Sequence, residues 1–166
     1  MDATQQFPDL ARVDLIADRS RLAFYDSQSV VLSKQITPFE AWVQVMADPL
    51  PLMKTAFAVR DAVSSLFGVK RIGGFSGKVI TCPVKGAHLD FFLVERIDDE
   101  VMSLTARDTH LDVMTCITTT DKVLSITSSV ATHNTFGKAY MVPVAPAHRL
   151  IVRTMLRRLS RRLAQA

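Results

Sequence analysis

Apolar positions along the chain follow two periods, and the change between them falls near residue 78. Before it, Met53, Phe57, Val59, Val63, Leu66 and Phe67 recur at near-helical spacing and predict a helix over residues 50–67, with Gly68 as its stop. A shorter helix is predicted over 37–47. There Thr37 stands at the N-cap, Glu40 three positions on completes a capping box, and Pro38 fills the first helical position. Upstream, LAFYDSQSVVLS (22–33) has the aromatic and β-branched content of a first strand. Residues 1–20 read as an irregular segment ahead of a single domain over 21–166.

Beyond residue 78 the period is two. KVITCPV (78–84) reads as a short strand that Pro83 ends or places at an edge. HLDFFLVERI (88–97), EVMSLTAR (100–107), HLDVMTCITT (110–119) and KVLSITSSVAT (122–132) follow, parted by turn signals at Asp98–Asp99, Asp108–Thr109 and Thr120–Asp121. Such turns between alternating segments predict an antiparallel meander. Alternation also assigns faces. Met102, Leu104 and Ala106, then Leu111, Val113, Thr115 and Ile117, then Leu124, Ile126, Ser128 and Val130 share one face, apolar except at Thr115 and Ser128. Asp112, Ser125, Thr127 and Ser129 fall on the other, which is expected to meet solvent.

The C-terminal segment is amphipathic. Asn134 can cap its start, Val152, Met155, Leu156, Leu159 and Leu163 lie on one face, and Arg149, Arg153, Arg157 and Arg161 form a row at i, i+4 spacing on another. Pro143 and Pro146 each remove a hydrogen bond and crowd the preceding turn, so they are expected to bend or restart the helix. The order of elements is strand, two short helices, five strands and a long helix. It predicts an α+β fold in which a curved antiparallel sheet wraps the C-terminal helix, the one long element available to cover the apolar face. This is the helix-grip layout of the START and birch-pollen-allergen folds, where a cavity often lies between sheet and helix.

Composition narrows the class. A chain of 166 residues with 48% apolar and 22% charged content is expected to be one soluble domain with a sizeable core. The start carries acids and no apolar signal core, and no run of about 18 apolar residues occurs, so neither a secretory leader nor a membrane span is expected. Cys82 and Cys116 lack metal-type spacing and read as reduced thiols of a cytoplasmic protein. The net charge of +4 is the +6 of Arg149, Arg153, Arg157, Arg158, Arg161 and Arg162 set against −2 for the rest. Basic character therefore belongs to one helix. Like charges four residues apart repel by about 0.2–0.5 kcal/mol per pair, so the row contributes nothing to the helix by itself.

No catalytic motif emerges. GGFSGKV (73–79) fails as a phosphate loop, because Ile72 stands where a glycine is needed and Val79 where Ser or Thr is needed. His88, His110, His133 and His148 show no paired spacing for zinc, and no metal or cofactor is expected. Asp98, Asp99 and Glu100 occupy a tight turn, where Asp is favoured for backbone reasons. An isomerase- or cyclase-like activity would have to use His110 with Asp112, or His148. Nucleic acid is not an expected partner, since Trp42 and the two tyrosines are not interleaved with the basic row.

Two readings of binding remain. In the first, an apolar small molecule or lipid lies between sheet and C-terminal helix, with Thr115 and Ser128 as polar anchors, Tyr140 and His148 at the mouth and His110 as a further contact. In the second, Arg153, Arg157 and Arg161 dock an acidic partner or the surface of an anionic membrane.

Several stretches resemble a bacterial family of uncharacterised proteins, domain of unknown function 2867. They are AVRDAVSSLFGVK (58–70), RDTHLDV (107–113) and HNTFGKAYMVPVAPAHRLIVRTMLRRL (133–159). The matching positions are Arg60 and Asp61, then Asp108, His110, Leu111 and Asp112, then Asn134, Gly137, Lys138, Tyr140, Pro146, His148 and Arg149. Val113 and Ala147 depart from the family pattern, where an aromatic and a bulkier residue are usual. The resemblance spans roughly residues 25–163 and implies a shared fold. It implies no activity.

Overall fold

The structure is a computed structural model that describes residues 12–47 and 83–165. The predicted helix over 50–67, the glycine-rich stretch 73–79, Cys82, Arg60, Asp61 and most of the predicted strand 78–84 lie outside the described residues.

Six strands form one antiparallel sheet: β1 (Phe24–Val31), β2 (His88–Leu89), β3 (Phe92–Ile97), β4 (Val101–Arg107), β5 (Leu111–Thr120) and β6 (Val123–Thr132). Their spatial order is β1-β6-β5-β4-β3-β2, so β2 to β6 are a meander and β1 closes against β6. Helix α1 (Pro38–Met46) and the long helix α2 (Thr135–Gln165) complete the described elements. The fold is therefore α+β, an open sheet with one long and one short α-helix among the described residues.

The predicted capping box is present: Glu40 N donates to Thr37 Oγ1 at 3.2 Å and Thr37 N donates to Glu40 Oε2 at 2.7 Å. Residues 88–97, read as one strand, are a tight hairpin instead. Asp90 adopts φ 56° and turns the chain, so Leu89 faces Phe92 across the ladder. Aspartate tolerates this left-handed geometry through its short polar side chain, which hydropathy alone does not register.

The apolar face assigned by alternation is the core. Met102, Leu104, Ile117, Leu124 and Ile126 pack with Val152, Leu156, Leu159 and Leu163 of α2 and with Ala41 of α1. Trp42 of α1 meets Phe92 edge to face at 5.8 Å.

The other face does not meet solvent as expected. Ser125, Thr127 and Ser129 are buried, 2%, 2% and 1% exposed. They avoid the cost of burial by pairing. Thr127 and Ser27 share a hydrogen bond of 2.8 Å, as do Ser125 and Ser29, and Ser129 Oγ accepts from Ile16 N at 3.0 Å. Ser103 Oγ donates to Asp14 Oδ2 at 2.5 Å, so residues 14–16 reach across this face. Cys116 lies among them, fully buried, and burial pushes its thiol up against the opposing bond from Ser103. It is not poised as a nucleophile.

Helix α2 is continuous through Pro143 and Pro146, correcting the expected restart. Both prolines and the residues four back, Ala139 and Val142, are exposed. The carbonyls that lose their donors thus face water, which is where a helix over a sheet tolerates longer bonds.

Candidate functional site

The first turn of α2 is clamped to the β4–β5 turn. Asp108 Oδ1 accepts from His110 N and Leu111 N at 2.7 and 2.9 Å, closing that turn. Asn134 then bridges the two elements. Its Oδ1 accepts from Gly137 N at 3.0 Å as a helix cap, while Nδ2 donates to His110 Nδ1 at 2.9 Å and to Thr109 O at 3.2 Å. A Cβ on Gly137 would stand 2.3 Å from the His110 carbonyl oxygen, so only glycine permits this approach. His110 and Asp112 do not form a dyad with one another. His110 is held by Asn134 and stacks edge to face on Phe136 at 4.6 Å, whereas Asp112 pairs with His133 at 3.1 Å and Arg107 at 3.4 Å. The residues singled out by resemblance thus divide: Asp108, His110, Asn134 and Gly137 form a clamp, and Tyr140, His148 and Arg149 lie further along α2.

Past the clamp, α2 runs chiefly over β1. Arg149 Nε reaches Asp26 Oδ1 at 3.5 Å, Gln28 Nε2 donates to Asp26 Oδ2 at 2.7 Å and to the Arg149 carbonyl at 3.0 Å, and Ser160 Oγ donates to the Val31 carbonyl at 3.0 Å. Opposite this flank, at 100° per residue, lie Tyr140, Val144, Ile151, Met155 and Arg162. Arg162 Nη1 donates to the Gln44 carbonyl at 3.0 Å, so this second flank faces α1.

Placement of α2 over β1 leaves the middle of the sheet incompletely covered. β5 is an interior strand, yet Leu111, Val113 and Thr115 on its helix-facing side are only half-buried, whereas Ile117 and Thr119 further along are 3% and 2% exposed. Leu111 and Val113, with Tyr140 and Val144 of α2, pack there against the buried cluster of Phe24, Val130 and Met141.

Four of the residues singled out from the sequence lie on or beside this face. Thr115 is the register partner of Ser128, and Ser128 is the register partner of Asp26. The His148 ring meets Phe24 edge to face at 5.5 Å, two residues from Asp26 on the same strand face. Tyr140 packs against the cluster of Phe24, Val130 and Met141 and stacks on Phe136 at 6.4 Å. His110 sits at the clamp instead, against Phe136. Asp26, Gln28 and Phe24 escaped the sequence reading, because a single acid inside an aromatic strand carries no periodic signal. Their inward alternation was the one available cue.

Two atoms stand out on this face. Ser128 Oγ and His148 Nδ1 are buried without a hydrogen-bond partner, and they are the ones found among the described residues. The nearby Asp26 carboxylate is engaged with Arg149 and Gln28 and hydrogen-bonds neither atom. An unpaired buried hydroxyl costs about 1–3 kcal/mol. Ser128→Ala is therefore expected to leave stability unchanged or raise it by up to about 1 kcal/mol in urea unfolding, against the usual sign for a core truncation.

Burial holds the His148 imidazole below its ordinary value; the Asp26 charge opposes this and Arg149 adds to it. The folded protein then binds fewer protons than the unfolded chain between the depressed value and the ordinary one. Stability contributed by neutral His148 is complete above about pH 6.5 and falls as pH drops toward the folded value. His148→Phe should flatten that slope in unfolding measured from neutral to mildly acidic pH.

Arg153, Arg157 and Arg161 are exposed, with no ion-pair or hydrogen-bond partner among the described residues. No group of three or more His, Cys, Asp or Glu is placed to hold a metal among the described residues, and no helix there is long and apolar enough to cross a membrane.

A family model described as "Protein of unknown function (DUF2867)" matches residues 19–155. No curated protein matches, and no solved structure matches.

Proposed function

The chain belongs to this family of proteins of unknown function, and from that premise we propose that it binds an apolar small molecule or lipid in the groove between β5 and α2. The family description assigns no activity, so the reading rests on the site. The observations that carry it are the half-buried Leu111, Val113 and Thr115 on an interior strand and the two buried polar atoms without partners on Ser128 and His148. In this reading Leu111, Val113 and Thr115 are the groove's floor, and the buried Phe24, Val130 and Met141 its inner end. Apolar walls with few polar anchors are the usual composition of a small-molecule site. The arrangement of one long helix over a meander supports reading the layout as helix-grip, with the ligand where that fold keeps its cavity. A cytoplasmic location and a bacterial origin belong to the same proposal.

The test is native mass spectrometry of gently purified protein, followed by solvent extraction of any excess mass. Val113→Trp, which fills the groove from its floor, should remove that mass and weaken binding of alkyl probes about tenfold or more. Absence of saturable probe binding by the unmodified protein would end this reading.

A second reading has its own observation in the exposed Arg153, Arg157 and Arg161, without partners among the described residues, which share the outward side of α2 with the exposed Leu150. They suit the surface of an anionic membrane, where each basic residue contributes about 1 kcal/mol. Co-sedimentation with anionic vesicles should then be lost in the triple Arg→Gln variant and at high salt.

A further inference from the structure

The groove reading leaves open what kind of head group a ligand would carry, and the charges around its inner end address that. Three ionisable groups come together there. Asp26 and Arg149 are paired at 3.5 Å and offset one another, and Arg149 also lies over the Phe24 ring at 5.0 Å. His148 is the third, and its burial favours the uncharged imidazole. Among the described residues, the inner end therefore has no net charge to balance an ion. A carboxylate would meet Asp26 without an excess cation, and an ammonium would meet Arg149 without an excess anion, each after losing its hydration.

What the inner end does offer is hydrogen bonding. Ser128 Oγ can donate one bond and accept others, and a neutral imidazole nitrogen can take one bond in either sense according to tautomer. Ser128 is 2% exposed, so water does not supply these partners from bulk. Ser128 lies in the register row Asp26–Ser128–Thr115, and His148 meets Phe24, two residues from Asp26 on the same strand face. One group that both donates and accepts can satisfy the pair. A hydroxyl does so without charge.

Resting on the groove reading, we propose that the ligand is an uncharged amphiphile, an apolar body carrying a hydroxyl, with that hydroxyl bound between Ser128 and His148. Thr115, the cross-strand partner of Ser128, borders the same point from the floor. The apolar body lies along Leu111, Val113 and Val144 toward the open side.

Three probes of equal chain length separate head group from body: 1-octanol, octanoate and octylammonium, titrated into the full chain near neutral pH and followed by two-dimensional NMR. 1-Octanol is expected to bind about tenfold more tightly than either ion. Ser128→Ala should weaken 1-octanol about five- to tenfold and leave the ions unchanged, as expected for loss of one buried hydrogen bond. His148→Phe, which keeps the ring against Phe24, should act in the same direction, so the result does not depend on one variant folding. Equal binding of all three probes, or a preference for 1-octanol that survives both substitutions, would overturn the hydroxyl assignment while the groove reading stands. If none of the probes binds, the groove reading itself fails, and this proposal with it.

Discussion

Gly137→Ala is expected to destabilise the protein by about 2–3 kcal/mol, lowering its thermal midpoint by about 5–10 °C. Local propensity points the other way, since alanine in a helix is favoured over glycine by up to about 1 kcal/mol. Contact decides the sign. The added methyl would sit 2.3 Å from the His110 carbonyl oxygen. That oxygen cannot retreat freely, because it accepts from His133 N at 2.8 Å where β5 and β6 meet. Moving it would also disturb Asn134, which caps α2 and holds His110 Nδ1. Thermal unfolding followed by circular dichroism measures the change. An unchanged or raised midpoint would mean that the helix start does not approach the β4–β5 turn this closely.

The second large effect is at Leu159. Its side chain is 2% exposed and belongs to the cluster that joins α2 to Leu104, Ile117 and Leu124. Leu159→Ala should cost about 2–5 kcal/mol through lost transfer energy and an unfilled cavity. The matched control is Arg153→Gln with Arg157→Gln and Arg161→Gln. Those side chains are exposed, so the triple change should stay within about 0.5 kcal/mol of the unmodified protein in urea unfolding. The contrast separates what holds α2 in place from what it displays. A triple variant as unstable as Leu159→Ala would show that the arginines hold the helix, and would overturn the description of them as a solvated row.

The two effects share a geometrical cause with the groove. α2 is pinned at its start by the Gly137–His110 approach and along its length by apolar contacts and by Arg149 on Asp26. A rigid helix pinned at one corner and drawn toward β1 covers β5 closely at Ile117 but less so toward the strand's start. The half-buried Leu111, Val113 and Thr115 are the consequence. His110, Asn134 and Gly137 therefore influence the groove without lining its inner end, and their substitution should alter ligand affinity and stability together. Substitution at Ser128 should separate the two.

Much of this was legible in the sequence for simple reasons. Alternation over β4, β5 and β6 identifies strands because successive side chains point to opposite faces, and the turn residues between them set the register. Thr37, Pro38 and Glu40 announce α1 because capping is a local hydrogen-bond pattern, and the stripe Val152, Leu156, Leu159 and Leu163 announces the buried side of α2 for the same local reason. Thr115 and Ser128 were recognisable as polar breaks in an apolar face.

Other features required the folded chain. Ser125, Thr127 and Ser129 looked like solvent-facing positions, because hydropathy cannot report that Ser27, Ser29 and Ile16 supply them with partners from distant parts of the chain. Pro143 and Pro146 looked like breaks, because the sequence does not say that the orphaned carbonyls face water. Asp26 carried no signal in the sequence, yet in the fold it engages Arg149 and Gln28 beside Ser128 and His148, whose buried atoms stay unpaired. Local periodicity thus determined the elements and their apolar sides. Tertiary structure decided which polar atoms are satisfied, because hydrogen-bond satisfaction depends on residues remote in sequence, and the proposed site is made of the ones that are not.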